Sequence, residues 1–379
     1  MLKNKIYKYF FNEILKNFIT ILFTFTALAW VVRAVNFLDL IVEDGYSSVI
    51  YFKYSILNIT TILTRFTPLA FLLSLTISIV KFERQQELLI LWTTGLSKLR
   101  VVNIFLLIGF LITLFQLIMS LFVNPFLLNK SRSLLSSDEA IQMNTVLKSN
   151  DFNATFTGVT FYIDKKNSNN ELQHVFIKDT NGKLNTVIDE VNKKKDSTIF
   201  AEKGFAINNK IILFNGVIQT LDEEKQIKNV LFKKTELSLA NMSSRIIKHP
   251  KIQETSSGSL LMCAFDLSIN LNQIKCSENF KKESIQTLSR RLGTPLYILL
   301  ISIITSFLLI YKKEKKNNFY KKYVLFTFSF TMLILAEILL PYTSLSSLVA
   351  VSYFIIPVSS TVLFYLFILK KIATEKVTK

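Results

Sequence analysis

The sequence predicts a membrane protein with six transmembrane helices, three on each side of an inserted all-β domain. The chain has 379 residues, of which 50% are hydrophobic. Its apolar residues gather in two blocks near the ends, and the middle is polar and rich in short β-branched and aromatic runs. Because a helix that crosses a bilayer needs about 20 apolar residues, each terminal block has room for three spans.

Six apolar runs are long enough to cross a bilayer. They lie at about residues 14–35, 55–80, 101–123, 293–311, 323–341 and 348–369. The first run is too long for the apolar core of a signal peptide, and no small-x-small cleavage site follows it before Arg33, so we expect a retained anchor. The predicted domains are an N-terminal membrane half at 1–125, a β domain with linkers at 126–274 and a C-terminal membrane half at 275–379.

Lysine and arginine residues in the short connecting segments predict the orientation of the spans. Basic residues precede the first run, follow the second and the fourth, and end the chain, and all four groups fall on one side if every run spans. Examples from the four groups are Lys5, Arg84, the lysines of 312–316 and Lys376. We therefore expect a multi-pass protein of the bacterial inner membrane, with both termini cytoplasmic and the β domain periplasmic.

The middle of the chain is predicted to form a series of short strands. They are Val159–Ile163, Val175–Ile177, Thr198–Ala201, Ile211–Phe214, Val217–Leu221 and Val230–Phe232. Turn signals separate them, at Asn169-Asn170, Asn181-Gly182, Asn208-Asn209 and Asn215-Gly216. Strands at this spacing, with no helix-length apolar pattern between them, predict a sandwich or a jelly roll.

The sequence offers few residues for catalysis. Its two histidines, His174 and His249, have no nearby Ser, Cys or carboxylate pattern, and we expect both to be solvated. No metal-ligand spacing is present, and Gly182-Lys183 lacks the remaining residues of a phosphate-binding loop. We predict no catalytic residues, no metal and no cofactor, so that any ATP hydrolysis takes place in a separate partner.

The net charge bears on possible nucleic-acid binding, and the cysteines bear on a possible disulfide. The formal charge is +18, but most charges lie at the ends of apolar blocks rather than in a basic stripe with interleaved aromatics, so we expect no nucleic-acid partner. Cys263 and Cys276 lie in one connecting segment, and either a disulfide or two free thiols is compatible with the sequence.

The loop between the second and third runs predicts a short helix. Glu83–Trp92 contains strong helix formers and neither Gly nor Pro. Gly95 suits the left-handed residue that ends a helix, and Ser97 can cap the start of the third span. The apolar ridge of this helix consists of Leu88, Leu91 and Trp92. Such a ridge can enter a groove of a soluble partner; the alternative is a helix that rests on lipid headgroups.

Charged residues within the apolar runs predict a binding site for an anionic lipid. Arg33 lies near the outer end of the first run, and Arg65 lies three residues before Pro68 in the second. A charge at the centre of a membrane helix costs about 2.5–3.5 kcal/mol on insertion scales, and guanidinium suits bidentate contact with phosphate. We expect both arginines to face a cavity. The alternatives are snorkelling of Arg33 to the surface and a structural pair between Arg65 and Glu337.

Taken in chain order, these motifs resemble the LptF/LptG family of lipopolysaccharide export permeases over nearly the whole chain. The segment Glu87–Ser97 resembles the coupling helix of that family, and Thr67–Ala70 resembles its Leu-Pro-x-Ala turn. Gly158–Ile163, Thr198–Gly204 and Asn215-Gly216 resemble its jelly-roll strands, and Arg290-Arg291-Leu292 with Pro295 resembles the start of its fourth span. This chain has Thr287 and Ser289 where the family usually has Glu and His. Arg33, Asn36–Asp39 and Gly45 favour the F-type.

The resemblance implies a transport machine with several partners. These are a paralogous permease subunit in a heterodimer, a cytoplasmic ATPase dimer, a periplasmic bridge protein of jelly-roll type and lipopolysaccharide itself. The predicted ATPase-coupling residues are Glu83, Arg84, Glu87, Leu88, Leu91 and Gly95, and the predicted lipid-binding residues are Arg33 and Arg65. The alternatives are a permease for another amphiphile and a membrane-anchored periplasmic adaptor.

Overall fold

The structure, a computed structural model, has two compact units. It describes residues 2–42, 46–136, 149–156, 158–167, 171–180, 196–207, 210–221, 226–238, 251–265, 276–309 and 318–377. The first unit comprises Met1–Val32, Leu57–Asn129 and His249–Lys379, and the second comprises Arg33–Ile56 and Lys130–Lys248. Outside the described residues lie Gly45, His249, the lysines of 312–316 and the predicted turns at Asn169-Asn170, Asn181-Gly182 and Asn208-Asn209.

The helices account for both ends of the chain. In chain order they are α1 Leu2–Asn36, α2 Asp39–Val42, α3 Ser48–Leu57, α4 Ile59–Arg84, α5 Glu87–Thr93, α6 Lys98–Ile118, α7 Asn124–Ser136, α8 Ser257–Ala264, α9 Glu278–Leu288, α10 Leu296–Ser306, α11 Asn318–Leu339 and α12 Ser347–Val377. Single π-helical turns follow α6 at Met119–Val123 and α9 at Ser289–Gly293. Short 3₁₀ turns lie at Ile252–Glu254, Phe307–Leu309 and Leu340–Ser344.

Within the described residues, six helical stretches are long and apolar enough to cross a membrane, as the sequence predicted. They are Lys5–Val42, Ser48–Arg84, Lys98–Leu135, Glu278–Leu309, Lys322–Ser344 and Ser347–Thr374, here called the first to sixth spans. The helices extend beyond the apolar runs because a helix continues into the polar flanks as long as its own backbone hydrogen bonds can form.

The second, third and fourth spans form the centre of the helical unit. The fourth span buries 78% of its most apolar window within the protein, whereas the first, fifth and sixth each bury 17%. Large side chains of α4 and α6, such as Phe71, Phe82 and Phe105, pack in one core with Ile298 and Ile301 of α10. The apolar outer faces of the three peripheral spans are therefore available to lipid or to another subunit.

The middle of the chain forms one six-stranded antiparallel sheet in which every strand neighbours the next in sequence. The strands are β1 Phe152–Phe156, β2 Val159–Lys166, β3 Glu171–Asp179, β4 Ser197–Ile207, β5 Lys210–Leu221 and β6 Ile227–Ser238. The all-β character predicted for this region is confirmed. The described order is a meander, and closure into a jelly roll stays a prediction.

The predicted turn at Asn215-Gly216 is wrong. Both predicted strands around it belong to the single strand β5, which pairs with β4 before and after the two residues, at Phe214 with Lys203 and at Val217 with Phe200. Asn215 has a φ of 50°, and asparagine tolerates this left-handed conformation better than most residues. The Asn-Gly pair therefore lies within a continuous strand and does not end it.

Two irregular residues lie on one line across the sheet. His174 on β3 and Asn215 on β5 both have positive φ values, of 51° and 50°. At this line the alternation of buried residues shifts by one, so that β3 buries Leu172 and then Val175 on the same side. Buried side chains from β2 to β6 consequently share a single core, which includes Phe161 and Leu213.

Candidate functional site

The predicted coupling helix is shorter than the sequence indicated. Glu83 and Arg84 are the last residues of α4, and α5 begins only at Glu87. The break lies at Gln86, which has a left-handed φ of 59°. Glutamine is a good helix former and carries no signal for such a break. The predicted continuous helix over Glu83–Trp92 is therefore wrong.

The end of α5 matches the prediction. Gly95 has a φ of 82°, the Leu96 amide donates to the Leu91 carbonyl at 3.0 Å, and the Gly95 amide donates to the Trp92 carbonyl at 3.3 Å. This pair of bonds around a left-handed glycine is a Schellman motif. Ser97 occupies the N-cap position of α6, as predicted, but its side chain makes no capping hydrogen bond.

The two faces of α5 differ sharply in exposure. Leu88 and Leu91 are only 7% and 8% exposed and pack in the core of the helical unit, together with Leu96. Leu89 and Ile90 are each 58% exposed. The predicted ridge residues Leu88 and Leu91 thus hold α5 against its own chain, and the apolar surface open to a partner consists of Leu89 and Ile90.

Three polar pairs join α5 and the end of α4 to neighbouring helices. The Tyr9 hydroxyl on α1 donates to Glu87 Oε1 at 3.0 Å. Lys81 forms an ion pair with Glu13, which links α4 to α1. Glu83, at the end of α4, forms an ion pair with Lys322 on α11. We call these residues the α5 cluster: Tyr9, Glu13, Lys81, Glu83, Glu87 and Lys322.

The predicted coupling residues with polar side chains or at the helix end differ in whether they contact this chain or face outward. Glu83 contacts Lys322 within the chain and is about one-fifth exposed. Arg84 and Gly95 are exposed, and Glu87 lies at the edge of the exposed face. The surface that can meet a partner therefore combines one carboxylate, one guanidinium and the apolar pair Leu89 and Ile90. The sequence carried no signal for the contributions of Tyr9 and Lys322, which lie far from α5 along the chain.

The two predicted lipid-binding arginines lie on different elements, in different units. Arg33 is in the last turn of α1 and is half-buried, and Arg65 lies on the exposed face of α4 beside the buried Thr64. Glu337, considered above as a partner of Arg65, has its Oε2 atom 3.7 Å from Nη2 of Arg290.

Arg291 makes a buried junction that the sequence did not predict. It is 6% exposed, and its guanidinium donates to the Gln253 carbonyl at 2.9 Å, to the Thr255 carbonyl at 3.1 Å and to Ser257 Oγ at 2.7 Å. The Ser257 hydroxyl in turn donates to the Leu121 carbonyl at 2.7 Å. The segment that returns from the β region is thus tied to the π-helical turns of the third and fourth spans.

A cavity of about 540 Å³ lies in the β region beside His174 and Asn215. Its walls include Tyr162, Phe176 and Phe200, which follow one another on the outer side of the sheet with ring centroids 5.1 Å apart for the last two. His174 is exposed, as predicted, and its Nδ1 atom lies 3.2 Å from Asp164 Oδ2. The described residues contain no cluster of His, Cys, Asp and Glu that could hold a metal ion.

Comparison with known proteins covers both membrane halves and the β region. A family model for the lipopolysaccharide export system permease LptF/LptG matches residues 8–371. The chain is also similar to an uncharacterized protein, RP871, of Rickettsia prowazekii (strain Madrid E), with 24% identity over 321 residues, which cover 82% of this chain and 84% of that protein. Members of the matched family are multi-pass proteins of the inner membrane and permeases of the lipopolysaccharide export system. The chain therefore belongs to the LptF/LptG family of lipopolysaccharide export permeases.

Proposed function

We propose that this chain is the permease subunit of an ATP-driven exporter that extracts lipopolysaccharide from the outer leaflet of the inner membrane. The observation that carries the proposal is the family match over residues 8–371, which includes both membrane halves, α5 and the sheet. A paralogous permease completes the membrane part as a heterodimer, for which this chain supplies the F-type subunit. A separate cytoplasmic ATPase dimer supplies the energy.

Lipid transfer tests this function directly. The chain, coexpressed with its paralogue and the ATPase, is reconstituted into vesicles that contain lipopolysaccharide, and a soluble jelly-roll bridge protein is added outside. We expect lipid to reach the bridge protein only when ATP is present. The proposal would be contradicted if no lipopolysaccharide copurified with the complex and the complex transferred a different amphiphile in an ATP-dependent way. The chain would then belong to another export system.

The exposed face of α5 is the proposed contact with the ATPase. Leu89 and Ile90 offer an apolar pair, Glu87 offers a carboxylate beside it, and Arg84 is exposed one turn earlier. A short amphipathic helix that enters a groove is a common mode of recognition. The inward residues Leu88 and Leu91 support the contact differently, because their burial transmits any push on α5 to the core of the helical unit.

Charge reversal at Glu87 tests this contact. Like charges facing each other across an interface cost several kcal/mol, so Glu87→Lys should insert normally but lose the bound ATPase and lipid transfer. Glu283→Lys reverses an exposed carboxylate on α9, away from α5, and serves as the matched control. Normal assembly and transfer by Glu87→Lys would move the contact elsewhere on the loop.

Arg33 and Arg65 are the proposed ligands for lipid phosphates. Their residue type supports this role, because arginine binds phosphate with a fixed fork of donors that lysine lacks, and the exposed position of Arg65 on α4 leaves its face accessible within the membrane region. The released lipid then passes to the β domain, proposed to be a periplasmic jelly roll, and from there to the bridge protein.

Lipids with and without phosphates test the role of these arginines. Arg65→Ala should weaken the binding of lipopolysaccharide to the detergent-purified complex about tenfold and should leave the binding of the dephosphorylated lipid unchanged, and Arg65→Lys should be intermediate. Arg100→Ala removes an exposed arginine at the start of α6, outside the proposed ATPase contact, and serves as the control. Equal weakening for both lipids would remove Arg65 from the binding site.

A further inference from the structure

Pro68 interrupts the backbone hydrogen bonds of the second span. It lies inside α4 and is buried. Proline has no backbone N–H, so the carbonyl four residues earlier loses its helical donor, and the proline ring also crowds that carbonyl. In α4 the affected carbonyl belongs to Thr64, which is itself buried. Within a bilayer an unsatisfied backbone carbonyl is costly, because no water is present to replace the missing donor.

A side chain of the third span supplies the missing donor. Gln116 on α6 is 4% exposed, and its Nε2 atom donates to the Thr64 carbonyl at 3.3 Å. Asn124, at the start of α7, donates from Nδ2 to the Thr64 hydroxyl at 2.9 Å. The carbonyl and the hydroxyl of Thr64 are therefore both hydrogen-bonded to the third span, at the position where Pro68 interrupts the second.

The Gln116 amide is held on one side only. Its Oε1 atom is buried and has no hydrogen-bond partner among the described residues, and the same is true of Asn124 Oδ1. At 3.3 Å the bond to Thr64 is longer than a typical N–H···O bond. A side chain anchored by one long bond can follow a carbonyl that moves, which a backbone N–H in a regular helix cannot do.

The helix on the other side of Pro68 leads directly to α5. The part of α4 after Pro68 carries Lys81 and Glu83, which form ion pairs with α1 and α11, and α5 follows after the break at Gln86. On the near side of Pro68 lies Arg65, next to Thr64. The proline thus separates the segment tied to α5 from the segment that carries the proposed lipid ligand.

We propose that Gln116 is a positioning residue that latches a hinge at Pro68 and keeps the Thr64 carbonyl hydrogen-bonded while the second span bends. Through this hinge, movement of α5 reaches the segment that carries Arg65. The latch stands on the contacts of Thr64, and only the link to transport rests on the proposed function.

A double-mutant cycle in thermal unfolding tests the latch. Gln116→Leu removes the donor and should lower the apparent unfolding midpoint of the detergent-purified chain by about 2 °C. Pro68→Ala restores a backbone N–H to the Thr64 carbonyl, so in this background Gln116→Leu should change the midpoint little. Pro357 is a second buried proline inside a span helix, α12, and Pro357→Ala is the control, in which Gln116→Leu should keep its full effect. If Gln116→Leu does not fold, Gln116→Met serves in its place.

The outcomes separate the latch from the transport function. An equal effect of Gln116→Leu in the wild-type and Pro68→Ala backgrounds would overturn the latch. If the cycle shows coupling, Pro68→Ala should also bind the ATPase normally yet reduce ATP-dependent lipid transfer about tenfold. If Pro68→Ala instead transfers lipid at the wild-type rate, the hinge is overturned. A wild-type chain that transfers no lipid would instead contradict the proposed function, and the unfolding cycle would be unaffected.

Discussion

Arg291 shows how a buried cation can be held without a carboxylate. Its described hydrogen-bond acceptors are the carbonyls of Gln253 and Thr255 and the hydroxyl of Ser257, all neutral oxygens. The planar guanidinium presents several donors in a fixed fork, which lets one side chain bind successive oxygens of an irregular segment. The same carbonyls would be left unsatisfied in a buried place if the fork were removed.

We predict that Arg291→Lys destabilises the protein by about 1–3 kcal/mol, because the donors of an ammonium all sit on one nitrogen and do not reproduce the spread of the fork, so that at least one buried acceptor is left unmet. Unfolding in denaturant or by heat measures the loss. Arg290→Lys is the control at the adjacent position, since Arg290 is partly exposed and lies 3.7 Å from Glu337. Equal destabilisation by the two substitutions would contradict the role of the buried fork.

Gly293 allows a close approach between the fourth and sixth spans. A Cβ atom at this position would lie 2.4 Å from Cε1 of Tyr353, which is far inside van der Waals contact. We predict that Gly293→Ala destabilises the protein by about 1–3 kcal/mol through overpacking. Gly258→Ala, where a Cβ would meet nothing within 4 Å, should be tolerated. Partial recovery in Gly293→Ala with Tyr353→Leu would identify the tyrosine ring as the cause, and no recovery would contradict it.

Among the helices, an ion pair joins the C-terminal end of α4 to the N-terminal part of α11. Glu83 and Lys322 are 239 residues apart in sequence, and their side chains are only about one-quarter exposed. The fifth span buries little of its surface within the protein, so this pair is one of the contacts that fix its position beside the second span. An ion pair at such a place orients an element more than it stabilises the whole fold.

Reversal of both charges tests this pair. We predict that Glu83→Lys alone lowers stability by about 1 kcal/mol or less, because the pair is partly solvated, and that adding Lys322→Glu restores most of the loss. The four forms of the chain are compared by thermal unfolding at low and at high salt, and the coupling should shrink in high salt. Additive effects of the two substitutions would show that the ion pair contributes nothing.

For the whole molecule, the distribution of charge and the disulfide support one orientation in the membrane. Cys263 and Cys276 are bonded to each other, and disulfides persist in oxidising compartments such as the bacterial periplasm. The segment that contains them connects the third and fourth spans, and in the sequence the lysine-rich segments precede the first span and follow the second, fourth and sixth. Both observations favour a periplasmic β domain and cytoplasmic termini.

Cysteine labelling in intact cells tests this orientation. We predict that a cysteine introduced at Asn167 in the β region or at Ser346 between the fifth and sixth spans reacts with a membrane-impermeant reagent, and that one at Asn317 does not. The two native cysteines are bonded to each other, so they add little background. Labelling of the cysteine at position 317 from outside intact cells would contradict the predicted orientation. Permeabilised cells, in which all three positions should react, provide the control.

Much of this architecture follows from local patterns along the chain. The six spans are readable because a helix in a bilayer satisfies its own backbone hydrogen bonds, so length and hydropathy suffice. The left-handed Gly95 is readable for the same local reason, since a glycine after a helical run removes the steric penalty of a positive φ. The motifs that resemble the LptF/LptG family are likewise short local patterns in the sequence.

The contacts that shape the sites depend on residues far apart in sequence, and only packing decides them. The sequence Asn215-Gly216 by itself predicts a turn. In the structure β5 pairs with β4 on one side and with β6 on the other, and these pairings keep the two residues within a strand. Leu88 and Leu91 form an apolar ridge by sequence alone, and only packing against the other helices shows that this ridge belongs to the core of the helical unit. The bond from Gln116 to Thr64 spans 52 residues and exists because Pro68 removes a donor that a neighbouring helix can replace. A local pattern reports the hydrogen bonds that a segment can make with itself, whereas these contacts depend on which distant groups the folded chain brings within reach.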